Sequence, residues 1–531
     1  SLTALEPGCE YEVKLVLDGS EVFGSVKTME EEPNCKEIKL SEIYNGGTLV
    51  LQGVKGSDDE WIKIVGNGEA ISADETNWEA VYISDCKNLI LENIKITGGR
   101  RYGINISGGS ENIRINNCDI SRWGRKGIWS DISHKYRLNF DAVSYDSAIY
   151  LTDADNVAVE RCYIHDSNAR TNAWHGDDYS FIHPSGASAI YSYMGSGLVV
   201  RYNDFIGSAK HRFNDAIEGA FNNSYHAGVG FDADIYGNMF FGGNDDAMEL
   251  DGGAMNVRVY KNRVEQFYCG ISFAPVKIGP VYAFGNLICN LGDREGNSDT
   301  PTKQSGTAAE SGGKQFWFNN TFLARESCKI LNTTAVNNII ASDTSVYPVS
   351  QARSGDYNLL YGKSRGFNFG ANEIYANKPG FNDFAAGDYS LRADSPAKGS
   401  GTQIYNFMEL ETPDLGAFAY GNVPQRQRVL SADKSHIEMR SKTLATVTVH
   451  TGELESGLSF SVCRPESDTW LKISGDIEGK AESNSCYSFT VEADADELEK
   501  EAKIQNDSLC GAVLFRLSNG VSLPITVNCK N

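Results

Sequence analysis

Carboxylates crowd one short stretch of this chain. Four of them fall within seven positions: Asp245, Asp246, Glu249 and Asp251. The apolar pair Met248 and Leu250 alternates with them, which is typical of a strand that has one face in a core. The alternation predicts that Asp245, Glu249 and Asp251 share the outward face, where acids so close together repel one another. A metal ion, another cation or a shared proton would relieve that repulsion.

The composition limits the class of protein. At 531 residues and 41% hydrophobic content the chain can bury a large core, and its length predicts more than one domain. The formal net charge of −22 argues against nucleic acid as a partner, because phosphate contacts need clustered Lys and Arg. No apolar run is long enough to span a bilayer. The 53 Gly against 13 Pro indicate a β-rich, turn-rich fold, which we expect to be a monomer.

The cysteines and the first residue bear on the compartment. The 12 cysteines lie far apart and include no CxxC pair, so they predict neither a zinc knuckle nor a compact disulfide scaffold. The chain begins at Ser1 and shows no signal peptide, which favours a mature or trimmed form. Export must therefore be inferred from the types of domain.

An internal repeat begins near residue 34. Aligning its segments stacks one residue of each in a single column: Ile94, Cys118, Cys162, Asn203, Asn238, Asn262, Asn286, Asn320 and Asn338. The column predicts the internal ladder of a right-handed parallel β-helix, in which each buried Asn bonds the backbone of its neighbours. Cys118 and Cys162 are expected to be buried thiols, and a disulfide between these stacked neighbours is the alternative.

The spacing of the column predicts long loops. Its members lie 18 to 44 residues apart, so a bare coil needs roughly twenty residues and the surplus leaves as loops. Most of the surplus falls at one corner and would wall one face of the solenoid: residues 122–146, 166–187, 207–214 and 290–313. Trp123, Trp129 and Trp174 lie on the first two loops. Such residues suit stacking on sugar rings, and the alternative is that each anchors its own loop.

The strand after each loop repeats as well. If its aliphatic third residue points inward, the fourth faces solvent and forms an outward column: Tyr150, Tyr191, Glu218, Glu249 and Ser272. Tyr193 and Asp251 lie two residues further along the same face. We therefore predict tyrosines at one end and carboxylates in the middle, with Trp174 and His175 beside them as substrate contacts.

Three motifs near residue 400 resemble the closing phrases of bacterial right-handed β-helix carbohydrate enzymes. They are Gly387-Asp388-Tyr389-Ser390-Leu391, Asp394-Ser395-Pro396-Ala397 and Pro413-Asp414-Leu415-Gly416-Ala417-Phe418-Ala419-Tyr420. The resemblance covers residues 34–421 and implies a catalytic β-helix domain in an all-β protein that acts on a polysaccharide or oligosaccharide.

The flanking segments resemble accessory domains. Leu5-Glu6-Pro7-Gly8-Cys9-Glu10-Tyr11-Glu12-Val13, within residues 1–33, resembles the last strands of a fibronectin type III domain, in which the Tyr pins a corner. Residues 422–429 are predicted to be a linker, and residues 430–531 alternate like a β-sandwich. There Thr469-Trp470-Leu471-Lys472-Ile473 resembles the Trp motif of BACON-type domains in Bacteroidetes glycan-degrading enzymes; another immunoglobulin-like family is the alternative. The resemblance implies an exported protein, whether periplasmic, cell-surface or extracellular.

The carboxylates favour glycosidic hydrolysis. Glu218 and Glu249 on adjacent coils would bring their carboxyl groups within about 5 to 6 Å, and Asp251 would lie roughly 8 Å from Glu218. Retaining glycosidases need about 5 to 5.5 Å between the two carboxyls, and inverting ones about 6.5 to 9.5 Å. We predict a secreted or surface glycoside hydrolase that uses Glu218, Glu249 and Asp251, with Asp245 and Asp246 in support.

A polysaccharide lyase is the second candidate. Such β-helix enzymes use a Lys, Arg or His base on a uronate-containing glycan, often with Ca²⁺, which needs several oxygen ligands. Lys210, His211 and Arg212 precede Asp215 in a loop beside the acids, although the three could equally be a solvated loop. No family lyase motif is present in the sequence.

Other interpretations of the acids remain open. Asp215 and Asp246 share the inward parity, so they are predicted to cap turns between coils by bonding their own backbone. Glu218 and Glu249 could then be surface residues or hold a structural Ca²⁺. A third class of function is a non-catalytic glycan-binding or adhesion protein, whose groove binds without cleaving.

Overall fold

The computed structural model of the chain describes most of its length. The described residues are 8–28, 30–138, 141–142, 145–174, 183–193, 195–226, 228–304, 312–324, 327–329, 332–342, 349–350, 354–362, 370–404, 412–419, 429–494, 496–497 and 508–530.

Three long parallel sheets, here called A, B and C, wind into a right-handed parallel β-helix. Each coil runs from sheet B through sheet C to sheet A. The strands of sheet A are Leu49–Gln52, Glu79–Ser84, Tyr102–Ser107, Ser147–Thr152, Ser188–Tyr193, Ile217–Gly219, Asp246–Glu249, Cys269–Phe273 and Thr302–Gln304. The one-turn helix Leu40–Ile43 precedes the first of them and buries Leu40 in the core.

Sheets B and C complete the coils. The strands of sheet B are Cys35–Lys39, Trp61–Val65, Lys87–Glu92, Ser110–Asn116, Ala154–Glu160, Val199–Arg201, Asp234–Tyr236, Val257–Tyr260, Val281–Phe284, Gln315–Phe318, Thr333–Val336 and Ser354–Asp356. Those of sheet C are Ala70–Ser72, Lys95–Thr97, Asp119–Ser121, Tyr163–His165, Asp204–Ile206, Met239–Phe241, Arg263–Glu265, Leu287–Ile288, Thr321–Ala324, Ile339–Ser342, Leu359–Tyr361 and Ile374–Tyr375. Inward-facing aliphatic residues of all three sheets form one continuous core.

The corner between sheets B and C repeats a two-residue turn. Its first residue has a left-handed φ of 51° to 64°: Asn93, Asn117, Arg161, Tyr202, Gly237, Lys261, Gly285, Asn319, Asn337 and Tyr357. This conformation costs a non-glycine residue about 1 kcal/mol, so the corner needs a compensating interaction. The next residue is the ladder member, and its hydrogen bonds supply that interaction.

The asparagine ladder is confirmed. Asn238 shows the pattern: its N–H and its side-chain amide both donate to Asn262 Oδ1, at 3.0 and 2.9 Å, and the same amide donates to Val200 O at 2.9 Å. The ladder begins where the Cys162 N–H donates to Asn203 Oδ1 and continues beyond Asn338 to Asn358, one coil further than predicted. Cys118 and Cys162 are buried free thiols, as expected.

Three of the predicted loops leave the corner between sheets C and A. The fourth prediction, residues 290–313, is wrong in part, because strand Thr302–Gln304 of sheet A lies within it. Within the first loop the strands Ile128–Ser130, Lys135–Leu138 and Asp141–Ala142 form a small antiparallel sheet. Strands Cys328–Lys329 and Val349–Ser350 pair beside sheet A, and Phe381–Asp383 pairs with Asp388–Leu391 after the last coil. The loops wall the outer face of sheet A, here called the groove.

The flanking domains are also β-structures. Strands Glu10–Leu17 and Ser20–Lys27 form a hairpin; its kinship with a fibronectin type III domain stays a prediction. The C-terminal part is a β-sandwich whose two sheets share one core. One sheet contains Leu430–Ala432, Leu444–Thr451, Leu471–Gly475 and Cys486–Ala493, and the other contains His436–Arg440, Ser459–Cys463, Glu478–Lys480, Ser508–Leu517 and Ser522–Lys530. Trp470, in the BACON-like motif, is buried in this core; the BACON assignment itself stays a prediction.

The C-terminal sandwich is docked on the outer face of sheet C. Tyr163, Met239 and Phe241 of that face pack against Ala512 and Leu514 of the sandwich. The groove on sheet A therefore lies away from this domain interface. The described residues include no helix that could cross a membrane.

Candidate active site

Sheet A brings the predicted acids together on neighbouring coils. Ile217 pairs with Met248, so Glu218 and Glu249 occupy the same position on adjacent strands, about 4.8 Å apart. The same register continues from Tyr191 through Glu218 and from Glu249 to Ser272, and the predicted outward column is therefore correct. Six residues make up what is here called the carboxylate cluster: Asp215, Glu218, Asp245, Asp246, Glu249 and Asp251.

The expectation that Asp215 and Asp246 point inward is wrong. Ala247 and Met248 are consecutive residues, yet both lie in the hydrophobic core. The corner between sheets C and A therefore breaks the strict alternation of a strand, and Asp246 emerges on the same side as Glu249. The sequence predicts that the two aspartates bond their own backbone. Instead, Asp215 Oδ1 accepts the backbone N–H of Asp246, on the next coil, at 2.8 Å. That bond ties adjacent coils together.

Most acids of the cluster are buried, although the sequence predicts that their column faces solvent. Glu249 is 7% exposed and Asp251 only 2%. Trp174 and His183, from the loop before sheet A, contact Asp245, and Asn222, from the segment after strand Ile217–Gly219, contacts Glu249. The period-2 pattern of the strands carries no information about these contacts. Burial removes water from the carboxylates, which makes their mutual repulsion stronger than on an open surface.

Lys303 is the cation within the cluster. Its Nζ lies 2.6 Å from Asp246 Oδ2 and 3.9 Å from Asp245 Oδ1. Burial alone would lower an ammonium pKa, but Asp246 and Asp245 outweigh it and hold the pKa of Lys303 well above its usual value. Lys303 belongs to the outward column, since it pairs with Ser272 on the strand that follows.

Two side chains of the loop 166–187 contact Asp245. The indole N–H of Trp174 donates to Asp245 Oδ1 at 2.9 Å, and His183 Nε2 lies 3.5 Å from Oδ2. Trp174 is buried and stacks on Tyr268 at 5.5 Å between ring centroids. Its predicted role as an exposed sugar platform is therefore wrong, because both its ring and its N–H are engaged with the protein.

The remaining carboxylates each have a neutral partner. The hydroxyl of Ser188 donates to Glu218 Oε2 at 2.8 Å, and the amide of Asn222 donates to Glu249 Oε1 at 2.7 Å. Asp251 Oδ1 accepts the hydroxyl of Ser272 at 2.8 Å and a backbone N–H at 2.5 Å. These bonds fix the side chains in place.

The pKa values of the cluster are raised. Burial raises the pKa of Glu218 to about 8, and Asp245 adds to the effect. Burial likewise raises the pKa of Asp246 to about 7, although Lys303 opposes it. The pKa of Glu249 lies well above its usual value because of burial and then Asp251. The cluster at neutral pH therefore holds protons that a metal cation could replace.

Three of the acids fit a divalent cation. Carboxylate oxygens of Asp215, Asp245 and Asp246 all lie within 4.8 Å of one another. Two oxygens bound to one Ca²⁺ at 2.3 to 2.6 Å are at most roughly 5 Å apart. Asp246 Oδ1 is buried and has no hydrogen-bond partner among the described residues. An oxygen-ligated cation would satisfy that atom.

The tyrosines form a ladder rather than separate platforms. The ring of Tyr150 stacks on Tyr102 at 4.5 Å and on Tyr191 at 5.7 Å, so both of its faces are covered by protein. Tyr193 contacts Phe221 edge to face at 5.5 Å. Tyr102 and Tyr191 are each 6% exposed and Tyr150 is half-buried. The stacked tyrosines therefore pack on one another and do not form separate open platforms.

The basic triplet before Asp215 is placed differently from the acids. Arg212 is buried, and its guanidinium donates to the backbone carbonyls of Gly243 and Gly292 at 3.0 and 2.6 Å. These contacts commit Arg212 to the corners of the following coils. His211 Nδ1 lies 3.3 Å from the carbonyl of Ala169, and burial lowers its pKa. Lys210 is half-buried beside His211. The predicted contact His175 lies outside the described residues.

Sequence reasoning missed Lys303, although a signal for it existed. The outward column predicted from the sequence ends at Ser272, and Lys303 is its next member. The interval between the two strands contains a long loop that hides the repeat. Ser188, Asn222 and His183 gave no comparable signal, because their roles depend on how side chains reach between coils.

A protein-family comparison agrees with this fold. The family described as "Right handed beta helix region" matches residues 41–169 and 108–275. Two solved structures are similar. "Crystal structure of pectate lyase Pel9A" is 14% identical, covers 74% of this chain and 92% of that chain, and has a TM-score of 0.38. "The complex structure of XylC with xylose" is 12% identical, covers 71% of this chain and 58% of that chain, and has a TM-score of 0.30. No curated protein sequence matches the chain.

Proposed function

We propose that the chain is a polysaccharide lyase that cleaves a uronate-containing glycan by β-elimination, with Lys303 as the base. The observation that carries the proposal is the 2.6 Å contact between Lys303 Nζ and Asp246 Oδ2, inside a cluster that fits a divalent cation. Elimination next to a carboxylate needs a base and a positive charge on that carboxylate. Lys303 would supply the base and an ion held by the cluster would supply the charge, at one place in the groove.

The cluster is suited to cation binding. Asp215, Asp245 and Asp246 would hold the ion, and Trp174 fixes one of them by its 2.9 Å bond to Asp245. A bound divalent cation would neutralise these carboxylates and stabilise the negative charge that develops on the uronate. Ca²⁺ is the candidate because the ligands are carboxylate oxygens.

Lys303 is poised to change its proton affinity. The negative charges of Asp246 and Asp245 keep it protonated in the absence of other cations. Neutralising those charges removes what holds its pKa up, and burial then lowers the pKa. The neutral amine is the form that can act as a base.

The elimination itself involves three bonds. Neutral Lys303 takes the proton from the carbon next to the uronate carboxylate. The electrons of that C–H bond form a carbon–carbon double bond, and the glycosidic C–O bond at the next carbon breaks. The leaving oxygen keeps the bonding pair and takes a proton from solvent. The products are one new sugar hydroxyl and one unsaturated uronate, and no water is added.

The groove supports a polymeric substrate. The loops wall the outer face of sheet A, and Tyr150 and Tyr191 lie in register with Glu218 along the same face. Successive coils are about 4.8 Å apart, so the face offers a repeating set of polar contacts to a repeating chain. The export predicted from the types of domain would give the protein access to such a polymer.

Glycoside hydrolysis is the second candidate function. The observation in its favour is the pKa of Glu218, raised by burial to about 8, which keeps this group protonated at neutral pH as a general acid must be. Glu249 lies in register beside it and would serve as nucleophile or base. A non-catalytic glycan-binding protein is the third.

Product chemistry separates the three candidates. The protein is incubated with Ca²⁺ and a panel of polygalacturonate, alginate, hyaluronan and heparan sulfate, together with neutral xylan as a control. We expect ultraviolet absorbance from unsaturated uronate ends on one acidic polymer. New reducing ends without that absorbance would identify a hydrolase and contradict the proposal. Binding without any new ends would identify a binder.

A further inference from the structure

A second polar site lies on the groove, several coils before the carboxylate cluster. It occupies the corner that begins the strands of sheet A, one position ahead of the column that contains Asp246. Backbone hydrogen bonds link the members of this corner column: Trp78, Arg101, Asp146, Ala187, Asn214 and Asp245. Arg101 is four coils from Asp245, which is roughly 19 Å at the spacing of parallel strands.

Asp146 orients two guanidinium groups at this corner. Its Oδ1 accepts Arg101 Nε at 2.8 Å, and its two oxygens accept Arg125 in a bidentate pair at 2.9 Å. Asp146 is fully buried, so a single carboxylate holds two arginines and leaves one positive charge uncompensated. Fixing two guanidiniums in this way lowers the entropy that binding a ligand would cost.

The terminal nitrogens of the Arg101 guanidinium are available to a ligand. Only Nε bonds Asp146, and its two terminal nitrogens make no hydrogen bond within the described part of the chain. The side chain is one-fifth exposed. A guanidinium with two parallel N–H donors free matches the geometry of a carboxylate or a sulfate group.

An exposed tryptophan and a third arginine complete the corner. Trp78 is 49% exposed, and the guanidiniums of Arg100 and Arg101 lie 5.7 and 5.5 Å from its ring centroid. Arg100 is exposed. Of two other acids near this corner in the sequence, Glu75 pairs with Lys126 at 3.2 Å. Glu79 bonds Asn105, and burial raises its pKa, which favours its neutral form.

The tyrosine ladder connects this corner to the carboxylate cluster. Arg101 lies over the ring of Tyr102 at 5.2 Å, and Tyr102 is the first ring of the stack that continues through Tyr150 and Tyr191. Tyr191 is in register with Glu218 on the next strand. A glycan that runs along the outer face of sheet A, over this stack, therefore reaches both sites.

We propose that Arg101, with Arg100 and Trp78, forms a distal subsite that binds an anionic group of the same glycan chain whose scissile bond lies at the carboxylate cluster. The anionic group is a carboxylate or a sulfate ester on a sugar several units from the cleavage point. The inference rests on the proposed function for the reaction at the cluster. The subsite itself binds anions whether or not cleavage occurs. It makes the enzyme selective for long, acidic chains.

Binding to an inactive protein tests the subsite without turnover. The two probes are a galacturonate hexamer, which carries only carboxylates, and a heparin hexasaccharide, which also carries sulfates. Each is titrated by calorimetry into the Lys303→Ala variant in the presence of Ca²⁺. We expect Arg101→Gln in this background to weaken the hexamer that binds by about tenfold or more, since a charge-assisted bidentate contact is lost. Arg101→Lys should recover part of the loss. Lys126→Ala removes a neighbouring charge outside the subsite and should change the affinity less than twofold.

Cleavage patterns test whether one chain bridges both sites. The parent enzyme should cut the hexamer at one dominant bond, and Arg101→Gln should spread cleavage over several bonds. Unchanged hexamer affinity in Arg101→Gln, an equal loss in Lys126→Ala, or no binding of either hexamer would overturn the subsite. If no hexamer is cleaved by the parent but Arg101→Gln still weakens binding, the proposed reaction fails and the subsite stands.

Discussion

Two polar columns run along this β-helix, and they differ in whether their members satisfy one another. In the asparagine ladder each amide accepts from one neighbour and donates to the next; Asn262 Oδ1, for example, accepts two N–H groups of Asn238 at 2.9 to 3.0 Å. In the carboxylate cluster an ionised member can only accept, and Asp246 Oδ1 is left without a partner among the described residues. The ladder is complete within the chain, whereas the cluster needs protons or cations from outside.

The difference teaches where stability and chemistry reside. A buried amide with every donor and acceptor paired adds to stability and offers nothing to a ligand. A buried carboxylate with raised pKa and an open lone pair costs stability and is ready to bind. Variants in the two columns should therefore separate activity from folding.

The largest effect should follow loss of the base. Lys303→Ala is expected to lower kcat on the cleaved polysaccharide by about 10² to 10⁴, the range that general-base catalysis contributes. Lys329→Ala is the matched control, because Lys329 makes a half-buried 2.8 Å pair with Asp299 just beyond the same sheet edge. Steady-state rates by ultraviolet absorbance measure both. Comparable rates for Lys303→Ala and Lys329→Ala would rule out Lys303 as the base.

Next in size should be the effect of disturbing the cation ligands. Ca²⁺ at a hundred times its Kd should stabilise the folded protein by about 2.7 kcal/mol, seen as a higher Tm. Asp246→Asn removes one charge and one ligand oxygen, so it should weaken Ca²⁺ binding at least tenfold. Calorimetric titration and thermal melting give the two values.

Glu265→Gln supplies the control for charge, since Glu265 is a buried acid of sheet C that pairs with Arg263. It should leave Ca²⁺ affinity unchanged even if the protein is less stable. A Tm that does not respond to Ca²⁺ in the parent protein would contradict the cation site.

A ladder variant should give the opposite pattern. Asn262→Ala leaves the N–H and side-chain amide of Asn238 without an acceptor, so the free energy of unfolding should fall by about 2 to 4 kcal/mol. Activity at a temperature well below the Tm should stay within a factor of about two, because Asn262 lies on the far side of the core. Urea unfolding measures the change in stability, and initial rates measure the change in activity. A large fall in kcat with unchanged stability would show that the columns are not separable.

The last prediction concerns pH and the domain interface. His165 lies between Asp119 and Asp166, at 3.0 and 2.9 Å, and Asp166 also accepts the backbone N–H of Glu466 from the sandwich. Burial opposes the charged form, but the two acids raise the pKa of His165 to about 9. Its contribution is fully present below pH 6.5 and is lost as the pH rises through about 9.

The corresponding measurement is a Tm profile. A shift of this size corresponds to about 3 kcal/mol at most. The Tm of the parent should fall between pH 7 and 10 more steeply than that of His165→Gln. Parallel profiles would show that His165 is not the group that titrates. Burial opposes the charged form of Asp166, but His165 lowers its pKa to about 2. Asp166 therefore affects the pH dependence of stability only in acid.

The sequence predicts the repeating parts of this molecule well. It predicts poorly the side chains that contact the cluster from other coils and loops. Asn203 to Asn338 and the register of Tyr191, Glu218 and Glu249 follow from periodicity, because one coil repeats the geometry of the last. The position of Asp246 does not, since the corner places two consecutive residues in the core. Trp174 and Lys303 come from loops or coils whose spacing is irregular, so only the folded chain brings them to Asp245.

The central claim is that the cluster eliminates rather than hydrolyses, and the most direct test is the source of the oxygen in the products. The polysaccharide that the protein cleaves is digested with Ca²⁺ in water enriched in heavy oxygen, and the oligosaccharides are weighed by mass spectrometry. The account predicts unsaturated products without label, because no water enters the cleaved bond. Saturated products that carry one heavy oxygen for each bond cleaved would contradict it and assign the reaction to Glu218 and Glu249.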